Sequence, residues 1–499
     1  MPTRVSQPTS AHKGSVLPPS PGAERGLPLG GVRPAHRRLT PQTVLPATLF
    51  VSIVAVAVGI GTRKVDEQSA WLHLAVGRFL ASGGHFSLPD PWSAEVSTPY
   101  RSTEALPALI SYRTFELLGL GGIAWLRALG VLALLAVLLW GARQVADPVP
   151  ALLAAAAGLC GAGHALTARP QLLGLVFLAI TVVAWHKTAA DLKERWWLVG
   201  LGWVAAWVHG LWALDAVVGL ATVAGLAADR RVSARQAMRL TMIPVLATTA
   251  AALTSYGPGL VLTPFTVGRS VREFVGEWQA TSSHDLCAMT VLACIALVAV
   301  TWMRRSARPG WWQIFHLLLS AALTLSMSRL IAVGALLVVP LLAGALQGQR
   351  ESPASRVVHR EGTAVVVTLL LAALAAAPLA AANASRPAGV PDHLSTTLLH
   401  LPAGSTVLAQ GDMSSWVLWT QPKVKLVFDS RSEIYSREFH LEFARMMAAA
   451  PGWDHVLDRT GASYALVRED SPIAAALTER RHWVSLGTDE GYVLLRATS

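Results

Sequence analysis

Eleven apolar stretches, each long enough or nearly long enough to cross a bilayer, lie between Leu45 and Ala382 of this 499-residue chain. A transmembrane helix needs roughly 20 mainly apolar residues to span the hydrocarbon core. Two of the stretches, 129–142 and 363–381, contain no charged residue at all. The helices of soluble proteins rarely carry so much uninterrupted apolar surface. The sequence therefore predicts a polytopic membrane protein whose membrane part is all α-helical.

The composition agrees with this prediction, because 53% of the residues are hydrophobic, only 14% are charged, and the mean hydropathy is +0.45. The predicted fold has about 11 transmembrane helices, long outer loops and a small C-terminal domain. The predicted spans lie near 45–61, 121–142, 149–167, 171–187, 196–210, 212–228, 238–256, 284–303, 311–327, 330–347 and 363–382.

The net charge of +11 would suggest nucleic-acid binding in a soluble chain. Here the basic residues recur in every second short gap between apolar stretches, as the positive-inside rule requires of cytoplasmic loops. These residues are Arg143, Lys187, Lys193, Arg195, Arg230, Arg231, Arg235, Arg239, Arg304, Arg305, Arg308, Arg350, Arg356 and Arg360. We therefore expect a multi-pass cell-membrane protein with a cytoplasmic N-terminus, an extracytoplasmic C-terminal domain, and no nucleic-acid partner.

The chain divides into three parts by composition. Residues 1–40 are rich in Pro, Ser and Gly and read as a disordered cytoplasmic tail. Residues 41–384 form the predicted membrane domain, with outer loops near 62–119 and 255–285. Residues 385–499 alternate short strand and helix patterns, which predicts an extracytoplasmic α/β domain. The candidate strands are 406–410, 424–429, 463–468, 483–487 and 492–497, and the candidate helices are 436–449, 453–460 and 473–480.

The first outer loop contains an acidic pair, Asp66 and Glu67, directly after the first span. The apolar residues of 69–80 have helical spacing, which predicts an amphipathic helix lying in the membrane interface. The acidic pair has two interpretations. It could stabilise the N-terminus of this helix through the macrodipole, or it could act in catalysis.

Arginine residues are expected to be rare in outer segments, yet several occur there or near outer helix ends. They include Arg78, Arg101, Arg169, Arg269, Arg272 and Arg329. A guanidinium group can bind phosphate oxygens bidentately, so as a set these residues predict a phosphate site. The alternative for any one of them is contact with anionic lipid headgroups or with nearby glutamates.

Other motifs limit the chemistry. The three cysteines, Cys160, Cys287 and Cys294, lie within or beside apolar stretches and are interpreted as small buried hydrophobic residues. The chain has no CxxC or HExxH spacing that would define a metal site. It also has no P-loop and no GxGxxG motif, so a nucleotide-sugar site has no support in the sequence.

A series of short motifs resembles the GT-C-type membrane glycosyltransferases, a family that includes dolichyl-phosphate-mannose-type and oligosaccharyltransferase-type enzymes and related bacterial membrane proteins. The likeness covers most of residues 60–499 and depends on the order of the motifs and on the topology. The matching residues are Trp71, His73, Leu74, Gly77, Asp90, Pro91, Ser93, Pro99, Tyr100, Glu104, Arg169, Pro170, Gln171, Trp207, His209, Gly210, Tyr256, Gly257, Glu277, Trp278 and Arg329.

The resemblance implies transfer of a sugar from a polyprenyl-phosphate donor to a glycan, lipid or protein acceptor outside the cytoplasm. It implies Asp66 and Glu67 as catalytic residues, as general base or as ligands of a divalent cation such as Mg²⁺ or Mn²⁺, although the metal ligands themselves are not identified. The implied substrate-binding residues are His73, Arg78, Arg101, Glu104, Arg269, Arg272 and Arg329. The pattern departs from the family at Ser69, where an aspartate is usual.

Two other functions remain open on the sequence. A transporter or flippase of a lipid-linked or small anionic substrate would show inverted repeats and broken helices at the bilayer midplane, and the sequence shows no convincing repeat. A non-catalytic membrane scaffold whose outer domain binds a partner protein is favoured somewhat by Ser69.

Overall fold

The structure is a computed structural model that describes residues 41–263, 273–305, 308–348, 357, 359–411 and 413–498. The predicted tail 1–40 lies outside the described residues, as do Arg269 and Arg272.

The described part of the chain is mostly helical. The helices that precede the C-terminal domain are α1 (Pro41–Thr62), α2 (Ser69–Ala81), α3 (Ala105–Arg143), α4 (Pro148–Gly161), α5 (Pro170–Asp191), α6 (Trp197–Ala206), α7 (Trp212–Ala228), α8 (Ala234–Ala251), α9 (Leu286–Met303), α10 (Trp311–Ser326), α11 (Ile331–Gln347) and α12 (His359–Asn383).

Each of the eleven predicted spans coincides with one helix, which confirms a multi-pass membrane fold. Within the described residues, six helices are long and apolar enough to cross a membrane, and α4, α6 and α7 are apolar but shorter. The number of eleven crossings stays a prediction. Helix α6 ends at Ala206 and α7 begins at Trp212, so a short reversal that contains His209 and Gly210 joins them.

Helix α11 lies at the centre of the membrane domain and α12 lies at its edge. In the segment Ser328–Gln347, which contains α11 and the turn before it, 83% of the most apolar 18-residue stretch is buried. The helix packs against α4, α9 and α10. In α12 the corresponding share is 11%, and Leu370, Leu371 and Leu374 are exposed. Leucines on the outer surface of a helix bundle are stable where the surrounding solvent is lipid, so the exposed side of α12 fits a lipid contact.

Helix α3 is interrupted at Gly119, which has φ 61° and ψ −154°. This backbone conformation is essentially restricted to glycine. The interruption separates a first segment, 105–118, from the long apolar segment that follows it. The end of the first outer loop was predicted at this glycine, and the structure places the change of direction there.

Helix α2 forms where the periodicity predicts a helix, but protein rather than lipid covers its apolar side. Trp71 is 2% exposed, and its ring lies 4.6 Å from the ring of Trp416 and 6.3 Å from that of Trp419. Both partners belong to the C-terminal part of the chain. The expectation that this helix places its apolar face in the membrane interface is therefore wrong for Trp71.

The C-terminal segment contains a five-stranded mixed sheet, as the alternating patterns predict. Its strands are β1 (Thr406–Ala409), β2 (Lys425–Leu426), β3 (Ala462–Arg468), β4 (Val484–Asp489) and β5 (Tyr492–Arg496), in the order β2-β1-β3-β5-β4. Strand β1 pairs in parallel with β2 and β3, whereas β5 pairs antiparallel with β3 and β4. The helices of this segment are α13 (Ser395–Leu399), α14 (Met413–Thr420), α15 (Arg437–Met447), α16 (Trp453–Thr460) and α17 (Pro472–Arg481).

A buried ion cluster connects the first outer loop to the C-terminal domain. The guanidinium group of Arg431 donates to both carboxylate oxygens of Asp90, at 2.9 and 2.8 Å, and to both oxygens of Asp429. All three side chains involved in the ion pairs are fully buried. Burial alone would lower the pKa of Arg431, but the charges and hydrogen bonds of Asp429 and Asp90 raise it overall, so this group stays charged. This ion cluster therefore joins the C-terminal domain to the first outer loop.

Substituting Arg431 by Leu should weaken this junction strongly. Both aspartates would remain buried without their partner, which typically costs about 3 to 5 kcal/mol. Thermal unfolding in detergent should show a clear loss of Tm. Arg468→Leu is the matched control, because its ion pair with Asp470 is exposed and its removal should change the Tm very little. Equal effects of the two substitutions would contradict the structural role of Arg431.

Substituting Gly119 by Ala should also destabilise the protein. A Cβ atom at this φ and ψ costs about 1 to 3 kcal/mol, although the surrounding space is open. The control is Gly200→Ala inside α6, where a Cβ atom meets nothing within 4 Å and helix propensity favours alanine. A Tm that falls for Gly200→Ala and not for Gly119→Ala would contradict the interpretation of the helix interruption.

Candidate functional site

Four chain segments bring charged side chains together at one end of the membrane domain. Glu67 follows α1, Arg169 is the residue before α5, and Glu277 and Arg329 lie in short 3-10 turns before α9 and α11. The backbone of Arg169 is extended (φ −105°, ψ 153°), because a helical conformation is unfavourable for the residue before a proline. This backbone conformation places Arg169 just outside the helix.

The guanidinium group of Arg169 binds two carboxylates from different loops. One nitrogen donates to Glu67 Oε1 and another to Glu277 Oε1. The side chains of Arg169 and Glu67 are 22% and 16% exposed, so the ion pair between them is better shielded than a surface pair. Arg169 Nε is buried and has no hydrogen-bond partner among the described residues. One donor of this group therefore remains for a ligand.

Arg329 extends the network beyond Glu277. Its Nη1 lies 3.3 Å from Glu277 Oε2 and its Nη2 lies 3.0 Å from His209 Nε2. The guanidinium carbon also lies 5.5 Å from the centre of the Trp278 ring. His209 is only 3% exposed because the reversal between α6 and α7 encloses it. Arg169 and Arg329 thus share Glu277, and together with Glu67 the four side chains balance in formal charge.

Glu104 lies on the other side of His209 and has an unusual protonation equilibrium. Its two oxygens are 3.3 Å from His209 Nε2 and 3.5 Å from His73 Nε2. Burial raises the pKa of Glu104 to about 7. Burial, together with the charges of Arg169 and Arg329, lowers the pKa of His73 to about 4. Glu104 therefore exchanges its proton near neutral pH, while His73 is neutral there.

A cavity of about 350 Å³ opens beside the charged network. Its polar wall includes Glu67, Arg169 and Arg329, and its apolar wall includes Ile331 and Ala332 of α11. The lining also includes His164 and Asp285. A cavity with two guanidinium groups on one wall and apolar residues on another can accommodate a phosphate attached to an apolar chain.

The structure brings four of the predicted site residues into the network: Glu67, His73, Glu104 and Arg329. Asp66 is exposed and, within the described part of the chain, does not join it. Arg78 lies elsewhere: it donates to the carbonyl oxygens of Leu418 and Trp419 and stacks on the Trp419 ring at 4.4 Å.

Arg101 also lies outside the network, because its Nη1 contacts the carbonyl oxygen of Tyr256 at 3.3 Å. Arg78 and Arg101 therefore hold chain segments together in this structure. Arg269 and Arg272 lie outside the described residues, so their role stays a prediction.

Three members of the network were not among the residues implied as catalytic or substrate-binding: Arg169, Glu277 and His209. The sequence carried a signal for each, because Arg169 was among the outer arginines and all three were among the matching motif residues. Sequence spacing could not show that they meet, since they lie on separate helices or loops and converge only in the folded bundle.

The carboxylates of the network do not fit Mg²⁺ or Mn²⁺. These ions prefer several oxygen ligands that converge on one point. Glu67 and Glu277 each accept a hydrogen bond from Arg169 instead. Among the described residues, Glu67, Glu104 and Glu277 form no group that could surround an ion. The charge that balances these carboxylates comes from arginine.

The raised pKa of Glu104 predicts a specific dependence of stability on pH. The pKa of the Glu104 carboxyl group is 4.5 in the unfolded chain and about 7 in the folded protein. The protonated group therefore stabilises the folded protein fully below pH 4.5. This contribution, at most about 3 kcal/mol, is lost as the pH rises to 7 and beyond. In Glu104→Gln the decline of the Tm between pH 5 and 8 should be smaller than in the wild type. Glu116→Gln, at an exposed site, should keep the wild-type decline; a Glu104→Gln curve parallel to the wild-type curve would contradict the assignment.

No family model matches the chain, and no curated protein matches it in sequence. Solved structures do match it in fold. The oligosaccharyltransferase AglB from Archaeoglobus fulgidus, in complex with an inhibitory peptide and a dolichol-phosphate, is similar over 88% of this chain and 70% of its own, with a TM-score of 0.56 and 11% identity. The apo form of the A. fulgidus oligosaccharyltransferase has a TM-score of 0.55 and 12% identity, over 87% of this chain and 70% of that one.

ArnT from Cupriavidus metallidurans in the apo state is similar over 90% of this chain and 97% of its own, with a TM-score of 0.52 and 14% identity. At these identities the likeness is one of fold. The chain has the fold of the GT-C-type polytopic membrane glycosyltransferases, as the order of its motifs predicts.

Proposed function

We propose that this protein is a membrane glycosyltransferase that moves a sugar from a polyprenyl-phosphate donor to an acceptor outside the cytoplasm. The observation that carries the proposal is the Glu67–Arg169–Glu277–Arg329 network beside a cavity of about 350 Å³ in a GT-C-type fold. The likeness to AglB, whose structure contains a dolichol-phosphate, supports a lipid phosphate as the donor class.

In this proposal Arg169 and Arg329 bind the phosphate of the donor. Arg169 has an unused Nε donor, and Arg329 shares Glu277 with it, so in this proposal the phosphate competes with the carboxylates for the two guanidinium groups. The apolar wall formed by Ile331 and Ala332 then faces the start of the polyprenyl chain. During transfer the leaving phosphate gains negative charge, and two fixed guanidinium groups stabilise that charge.

Glu67 acts as the general base. The acceptor hydroxyl loses its proton to the Glu67 carboxylate while its oxygen forms a bond to the anomeric carbon. The bond from that carbon to the phosphate oxygen breaks, and its electron pair leaves with the polyprenyl phosphate. Such a displacement inverts the anomeric configuration. Ser69 Oγ donates to Glu67 Oε1 at 3.2 Å, so the serine that departs from the family pattern orients the proposed base.

The proposal places the network and the C-terminal domain on the outer side of the membrane. The charge pattern supports this orientation. The short loops rich in Arg and Lys alternate along the chain with the outer loops that hold the network. The transporter and scaffold functions remain alternatives, and the experiment below distinguishes both from an enzyme.

Replacing Glu67 by Gln should lower transfer about 100-fold or more, since a positioned general base contributes roughly 10² to 10⁴ in rate. Asp66→Asn is the matched control, because Asp66 is adjacent and exposed and should leave transfer within a few-fold of wild type. Surface glycans and glycolipids of cells that carry wild-type, variant or no protein would be compared by mass spectrometry. Both variants should keep the wild-type Tm within a few degrees.

Two outcomes would overturn the proposal. One is a glycan profile that does not change when the protein is removed, as a transporter of another substrate or a scaffold would give. The other is a profile that Glu67→Gln restores as fully as the wild-type protein does.

A further inference from the structure

We propose that His164, Asp285 and Cys287 form a binding site for Zn²⁺ at the rim of the candidate cavity. Each residue offers one ligand atom, and all three atoms lie within 4.8 Å of one another. His164 Nε2 is already 3.1 Å from Asp285 Oδ2. Among the described residues this is the group of His, Cys, Asp and Glu side chains whose geometry could hold an ion.

Two chain segments assemble the three ligands. His164 lies on the 3-10 turn Gly163–Ala165 after α4, while Asp285 and Cys287 lie at the start of α9. Asp285 Oδ1 accepts hydrogen bonds from the amides of Cys287 and Ala288, at 2.9 and 3.0 Å. These bonds fix the carboxylate so that its other oxygen, Oδ2, meets the imidazole of His164.

The turn after α4 contacts the sulfur of Cys287 closely. It lies against the backbone amides of Gly163 and His164, and a Cβ atom on residue 163 would be 3.1 Å from it. Glycine at 163 therefore allows the turn to approach the sulfur closely.

The donor set decides which ion fits. Thiolate and imidazole ligands suit Zn²⁺, whereas Mg²⁺ and Mn²⁺ prefer oxygen ligands. In tetrahedral coordination, with bonds of about 2.1 Å to nitrogen and oxygen, the nitrogen and oxygen atoms are about 3.4 Å apart. The observed 3.1 Å between His164 and Asp285 requires a shift of only a few tenths of an ångström. Three protein ligands leave a fourth position for water or substrate.

A metal ion at this site would lie close to the charged network and would act on it. His164 and Asp285 line the same cavity as Glu67 and Arg169, so a bound ion would add positive charge beside the two guanidinium groups. It would also connect the turn after α4 to the start of α9. The first of these consequences rests on the proposed function, while metal binding itself does not.

The test measures metal directly. The full-length protein, purified in detergent with its affinity tag removed, should contain about one Zn²⁺ per chain by mass spectrometry of the elements. Replacement of the metal by Co²⁺ should give a sulfur-to-cobalt charge-transfer band in the near ultraviolet. Cys287→Ser should abolish that band, and His164→Ala should release most of the metal.

Controls come from the same region of the chain. Cys294→Ser lies on the same helix, Cys160→Ser lies at the end of α4, and His284→Ala is the residue next to Asp285. Each control should retain the metal and the cobalt band. The Tm of every apo variant, compared with the wild-type apo protein, shows whether loss of metal reflects loss of the fold.

Either of two results would overturn the proposal: wild-type protein that takes up neither Zn²⁺ nor Co²⁺ at stoichiometric concentrations, or a Cys287→Ser variant that binds both as well as the wild type. His164, Asp285 and Cys287 would then be an N-terminal helix cap with a neighbouring imidazole. Because these measurements need no glycosyl transfer, their failure is distinct from a failure of the proposed function.

Discussion

The candidate site depends on one interaction, the double ion pair that Arg169 makes with Glu67 and Glu277. These residues belong to the first outer loop, the start of α5 and the segment before α9, so a single guanidinium group holds three distant parts of the chain together. Because the Glu67 side chain is only 16% exposed, loss of Arg169 would leave this carboxylate poorly solvated and without its partner. The cavity wall, the position of Arg329 and the orientation of Glu67 all follow from this contact.

The membrane architecture could be predicted from the sequence because helices in lipid must be apolar along a fixed length. The spans, the glycine that interrupts α3 and the alternating elements of the C-terminal domain were all visible in local patterns. What local patterns cannot show is which distant side chains meet. Two contacts join segments that are far apart in sequence. Trp416 packs on α2, and the Gly163–Ala165 turn contacts Cys287. Helix α14 was also missed, since its serines and tryptophans have no clear helical period.

The candidate site shows the same division. Glu67 and Arg329 could be named because acids and arginines are unusual in outer segments of a membrane protein. Asp66 could not be separated from Glu67 on sequence, and the structure separates them by exposure. The cysteines were interpreted as inert because their neighbours are apolar. The structure shows that Cys287 differs from Cys294, since its sulfur lies beside a histidine and a fixed carboxylate.

The central claim is that Arg169, Arg329 and Glu67 surround the phosphate and the anomeric carbon of a lipid-linked sugar. An electron cryo-microscopy structure of the protein in complex with a polyprenyl-phosphate sugar tests it most directly. We expect phosphate oxygens within hydrogen-bond distance of both guanidinium groups and the Glu67 carboxylate facing the sugar. A headgroup bound elsewhere, with the Arg169 ion pairs intact and the cavity empty, would contradict it.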